Sequence, residues 1–172
     1  MNIPLDGEKI TVELYEEDVL KNDGPTSVVC ATYRAKEDPY LTWDGAATQG
    51  RLYFSQTSPE FDAHWGMEKT YDYYLNTFNR KSYDGEGSTI YNVLNSSMFD
   101  DFNAAAFSVE PYPMFYGNGG TLSGTKFKPF VSLDIMAHEF THLITERNGN
   151  GGLSYDGESG ALNESFSDIF GT

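Results

Sequence analysis

Apolar and polar positions alternate in short runs over the first sixty residues. In 10-ITVELYEE-17, Ile10, Val12 and Leu14 are separated by polar neighbours, the period of a strand with one buried face. The polar break 20-LKNDGPTS-27 reads as a turn, and 27-SVVCATY-33 and 51-RLYFSQ-56 read as further strands, separated by Pro39 and an Asp44-Gly45 turn. The period then changes. Met67, Tyr71, Leu75 and Phe78 recur at steps of four, four and three, which predicts a helix within 60–80, closed by Asp84-Gly85. Short strands are expected around 88–94, 104–110 and 113–117, the last ending in an Asn118-Gly119 turn. Met136, Phe140, Leu143 and Arg147 mark one face of a second helix, with Ser132 as its N-cap and Asn148-Gly149 as its stop. After the loop 148–160, Leu162, Phe166, Ile169 and Phe170 form an apolar stripe at helical spacing, still running where the sequence ends. The fold class is α+β: a β-rich N-terminal part, one long helix, then two helices close together in sequence.

Composition narrows the function. A chain of 172 residues fits a single domain with a buried core, and its 12 Tyr, 12 Phe and 2 Trp are those of a folded protein. The net charge of -15 argues against a nucleic-acid partner, because phosphates need Lys and Arg to neutralise them. The acid suits solubility or cations such as Ca2+. Cys30 is alone, so it forms no intrachain disulfide and reads as a small core residue. No apolar stretch is long enough to span a bilayer. The start, 1-MNIPLDGEKI-10, lacks the basic and apolar regions of a signal peptide, so the protein is either intracellular or a processed or trimmed form.

The chemistry concentrates in 137-AHEFTHLI-144. Residues four apart share a helix face, so His138 and His142 can turn their imidazoles toward one ion. With Glu139 between them they form the H-E-x-x-H pattern of zinc hydrolases. Three protein ligands would leave a fourth position for water, and the third should be a histidine or a carboxylate. In 160-GALNESFSDIFG-171, Glu164 and Asp168 are also four apart. One can bind the metal while the other accepts a hydrogen bond from a ligand imidazole. The bland alternatives are two exposed histidines and a solvated acidic face.

The motifs HEFTH and GALNESFSDIFG together resemble the thermolysin family of secreted neutral metallopeptidases. Further similarity lies in 70-TYDYYLNTFNRKSYDG-85, 102-FNAAAF-107 and 116-YGNGG-120, so the resemblance runs from about Phe61 to the end of the chain. The loop 148–160 is longer than is usual in that family. The resemblance implies a thermolysin-like fold, Zn2+ as cofactor and a peptide or protein as substrate. It implies His138, His142 and Glu164 as zinc ligands, Glu139 as general base, and Asp168 as the carboxylate that orients His142. Tyr155 would help stabilise the oxyanion. Asn103 and Ala104 would bind the substrate backbone, and Phe127, Phe130 and Ile135 would lie near the pocket for the residue after the scissile bond. Asp134 corresponds to a calcium ligand whose companions lie beyond residue 172.

The same resemblance implies two lobes with a cleft between them, the second helical and supplying a histidine that donates to the oxyanion. This sequence has three histidines, His64, His138 and His142, and His64 is expected to be structural. The expectation is therefore that residues 1–172 are one domain, the N-terminal lobe of a secreted endopeptidase that cuts before bulky apolar residues. The missing C-terminal lobe would be its partner. A non-catalytic zinc-binding or interaction module is the alternative.

Overall fold

The computed structural model describes residues 12–14, 30–35, 59–94 and 99–172. The elements are β1 (Val12–Leu14), β2 (Cys30–Ala35), α1 (Pro59–Phe78), β3 (Ile90–Leu94), β4 (Ala104–Ala106), β5 (Met114–Tyr116), β6 (Gly120–Leu122), β7 (Thr125–Phe127), α2 (Leu133–Glu146) and α3 (Gly157–Gly171). The expected strand at 51–56 and the turns near 20–27, Pro39 and Asp44-Gly45 lie outside the described residues, as does the side chain of Cys30, whose backbone opens β2.

Five strands form one sheet in the order β1-β2-β3-β5-β4. β2, β3 and β5 run parallel to one another, while β1 and β4 join antiparallel on the two sides. Among the described residues β4 is thus an edge strand. β6 and β7 make a separate hairpin.

The core lies between this sheet and the helices. Ala63, Met67, Tyr71 and Tyr74 come from α1, Ile90 and Leu94 from β3, Met114 and Tyr116 from β5, and Met136, Phe140 and Leu143 from α2. The helical period read from the sequence is the period of burial in α1 and α2. At its end the α1 pattern fails: Phe78 is half exposed, and Tyr74 takes the buried place instead. Arg147 does not continue the buried face of α2; it caps the helix and lies over the ring of Tyr112, 4.7 Å from its centroid. α1 and α2 come close where Gly66 meets Met136: a Cβ at Gly66 would stand 3.0 Å from Met136 Cγ.

The expected strand at 104–110 ends at Ala106. Beyond it the chain turns, with Tyr112 N–H donating to the Val109 carbonyl, and Pro111 has no N–H to offer a ladder. Ser132 occupies the N-cap of α2, but its hydroxyl makes no capping hydrogen bond. α3 begins at Gly157, before the Gly160 start suggested by its apolar stripe.

Candidate metal centre

α2 is amphipathic in an unusual sense. One face is apolar and buried; the other holds His138 and His142, one turn apart. Across from them lies α3, which buries Asn163 and Ser167 against α2. The two helices cross tightly at Gly171, where a Cβ would stand 2.8 Å from the Asp134 carbonyl oxygen and 3.5 Å from His138 Cβ. α2 is anchored on its other side as well. Tyr74 of α1 donates to the Thr141 hydroxyl at 2.7 Å, and that hydroxyl donates to the Ala137 carbonyl at 2.7 Å. Each such bond contributes on the order of 1 kcal/mol net.

The imidazoles are oriented from behind. His142 Nδ1–H donates to Asn163 Oδ1 at 2.7 Å, and the Asn163 amide is itself held by donation to the Leu153 carbonyl at 3.5 Å. His138 Nδ1–H donates to Asp168 Oδ1 at 3.0 Å. The expectation that Asp168 orients His142 is therefore corrected. Asp168 lies one turn further along α3 than Glu164, which sets it beside His138, and Asn163 serves His142. Burial lowers the pKa of His142 and so favours the neutral ring, against the opposing hydrogen bond of Asn163.

With both Nδ1 atoms donating, each imidazole in its neutral form presents an Nε2 lone pair to the centre, and the two Nε2 atoms stand 3.0 Å apart. Glu164 completes the group, with Oε2 at 3.3 Å from His138 Nε2 and Oε1 at 3.7 Å from His142 Nε2. Lone pairs converging on one point repel unless a cation lies among them. Ligands of a tetrahedral zinc ion stand roughly 3.3 Å from one another, as its bond lengths require. The spacing and the two-imidazole, one-carboxylate set both fit zinc. Among the described residues this is the only group of three or more His, Cys, Asp or Glu side chains that could share an ion, and Asp134 is not one of its members.

Glu139 is buried beside this group. Its carboxylate accepts a hydrogen bond from the Ala106 backbone N–H. Burial pushes its pKa up to about 7, with a further push from the charge of Glu164. The partner strand matters. Gly117 N–H donates to the Asn103 carbonyl and Phe107 N–H donates to the Pro113 carbonyl, so by the alternation of an antiparallel ladder Ala104 and Ala106 turn their peptide groups off the sheet edge. Ala106 serves Glu139; Ala104 faces the groove.

Two cavities, each of about 690 Å3, flank the centre and share Asn103, Ala104, His138 and Glu139. One extends along Phe130, Ile135, Asp134 and Asp168. Phe127 does not line it but stacks on Phe130, with ring centroids 6.5 Å apart. The other extends along His142, Glu164, Glu146 and Tyr155. The Tyr155 ring is exposed and lies edge-on to His142, centroids 6.1 Å apart. His64, on α1, lines neither cavity.

Asn163, Glu146 and the Ala106 N–H were not singled out from the sequence. An asparagine inside a helix, where it is a poor former, was the one available signal for Asn163.

The family model described as the thermolysin metallopeptidase catalytic domain matches residues 8–146, and that of the thermolysin metallopeptidase alpha-helical domain matches residues 151–172. A bacillolysin of Brevibacillus brevis is 49% identical over 141 residues, 81% of this chain and 22% of that protein. Neutral protease NprE of Bacillus pumilus is 43% identical over 111 residues, 64% of this chain and 34% of that protein. An extracellular elastase of Staphylococcus epidermidis is 44% identical over 114 residues, 64% of this chain and 21% of its own length. Among solved structures, the precursor of protealysin, a metalloproteinase from Serratia proteamaculans, superposes with a TM-score of 0.65 at 28% identity, over 87% of this chain and 45% of that one. The chain spans between a fifth and about a third of the length of these curated relatives. The donor geometry and a match across most of its length agree: this chain belongs to the thermolysin metallopeptidase family.

Proposed function

We propose that this chain is the zinc-binding lobe of a metalloendopeptidase, with His138, His142 and Glu164 holding the ion. The observation that carries this reading is the convergence of two imidazole Nε2 atoms and one carboxylate beside a buried Glu139 and an open sheet edge. Zinc, when bound, polarises a scissile carbonyl and lowers the pKa of water. The chain's own residues do the rest. Ala104 on the edge strand binds the substrate backbone as an added strand would pair, and the Asn103 side chain beside it in the cavity lining binds it as well. Glu139 takes the proton from the attacking water and returns it to the leaving amine. The Tyr155 hydroxyl donates to the developing oxyanion. Asp168 and Asn163 hold the ligand rings in their tautomer. The cavity walled by Phe130 and Ile135 receives a bulky apolar residue after the scissile bond.

The exposed Leu162, Phe166 and Ile169 of α3 support a packing surface for the rest of the helical lobe, whose family model already matches residues 151–172. Among the described residues no helix is long and apolar enough to cross a membrane. One relative is named an extracellular elastase, which supports secretion.

The test is peptide hydrolysis, with zinc content measured in parallel, by this chain and by the chain extended with the helical lobe. A Glu139→Gln variant is expected to keep its zinc and lose turnover by about 10²- to 10⁴-fold. If neither form cleaves any peptide, the reading fails. Zinc binding without hydrolysis by this chain alone is the second reading. Its support is the histidine count: two are metal ligands, and His64 lies away from both cavities.

A further inference from the structure

Glu146 is the last residue of α2, four after His142. It therefore lies about 6 Å further along the helix axis and on the same face. It lines the same cavity as His138, Glu139, His142 and Glu164, on the side away from Phe130 and Ile135. Its surroundings seat it there. Gly152 has φ +71, and a Cβ on it would stand 2.9 Å from Glu146 Oε2 and 3.1 Å from Glu146 Cα. The loop backbone thus closes against Glu146 from one side and leaves the cavity on the other.

The charges of that cavity are uneven. Among the described residues its ionisable lining is Glu139, Glu146, Glu164, Tyr155 and the two imidazoles, with no Lys or Arg. In the proposed function Glu164 belongs to the ion and Glu139 to proton transfer. Glu146 is left without a task, and among the described residues no ion pair joins it to a cation. A half-buried carboxylate without a cation partner attracts a cationic group that enters the cleft beside it, and Glu146 is the acidic side chain there that neither the ion nor the proton transfer engages.

We propose that Glu146 is a specificity-determining residue that takes a basic side chain of the substrate, Lys or Arg, on the side before the scissile bond. The ligand's identity as a peptide rests on the peptidase reading; the placement of Glu146 in the cavity does not.

The experiment measures binding of N-acetylated, C-amidated peptides to the zinc-loaded protein, with Glu139→Gln to suppress turnover. Lysine and norleucine are exchanged at each of three positions before an apolar residue. At one position the lysine peptide should bind about 5-fold tighter, a preference expected of a partly exposed ion pair, and it should shrink as salt is raised. Glu146→Gln should abolish the preference. Glu146→Asp should retain part of it, and Glu158→Gln, exposed on α3 outside the cavity, should retain all of it. Equal affinity at every position, a preference that survives Glu146→Gln, or binding of neither peptide overturns the proposal. Hydrolysis by the protein with Glu139 intact separates the two readings. Cleavage with no charge preference removes the role of Glu146 alone. Charge-dependent binding with no cleavage, by this chain or by the chain extended with the helical lobe, removes the peptidase reading alone.

Discussion

α2 sends Met136, Phe140 and Leu143 into the core and offers His138 and His142 to the centre, whereas α3 turns Asn163 and Ser167 inward and leaves Leu162, Phe166 and Ile169 exposed. Both helices bring candidate ligands to the same point, but they are held there differently. α2 is fixed by apolar packing on one side and by the Tyr74–Thr141 bond to α1, so the backbone that carries its histidines is held from behind. α3 is fixed by a close crossing at Gly171 and by polar contacts around the imidazoles. One helix contributes a rigid platform; the other contributes a carboxylate and the supports behind the rings.

The contrast can be broken at three points. Phe140 is fully buried, and Phe140→Ala should cost about 3–5 kcal/mol by denaturant unfolding, the price of a large core cavity. A loss under 1 kcal/mol would remove α2 from its role as platform. Asn163→Ala should leave the fold intact but weaken metal affinity by about 10- to 100-fold in a chelator competition, because it supports a ligand ring from behind. Asp168→Ala should weaken it less, since the Asp168 side chain is 76% exposed and water can replace it. The reverse order would mean that His138, not His142, is the ring that needs holding. Phe166→Ser, on the exposed side of α3, should change the stability of this chain by no more than about 0.5 kcal/mol. The same substitution in a protein extended by the helical lobe should cost distinctly more. Equal effects in the two would argue against that surface as the packing face.

Much of this was legible beforehand. The helical steps from Met67 to Leu75 and from Met136 to Leu143 report burial directly, because a regular helix turns chemically similar positions to one side. The hairpin of β6 and β7 was not foreseen. Its residues are all exposed, so its strands carry no apolar alternation, and only the Ser123-Gly124 turn hinted at it. The stripe of α3 was legible as a pattern but not as a location: Phe170 alone packs against the core, and the rest faces outward.

The sequence by itself determined that His138 and His142 share a helix face with Glu139 beside them, and that Glu164 and Asp168 share another. Those are consequences of the 3.6-residue turn, which acts within one helix. Which carboxylate meets which imidazole was decided only by the tertiary structure. The crossing of α3 on α2, close enough to require Gly171 and to bury Ser167, brings Asp168 to His138, Asn163 to His142 and Glu164 to both. That crossing depends on side-chain volumes from two helices at once, and no period along either one contains it.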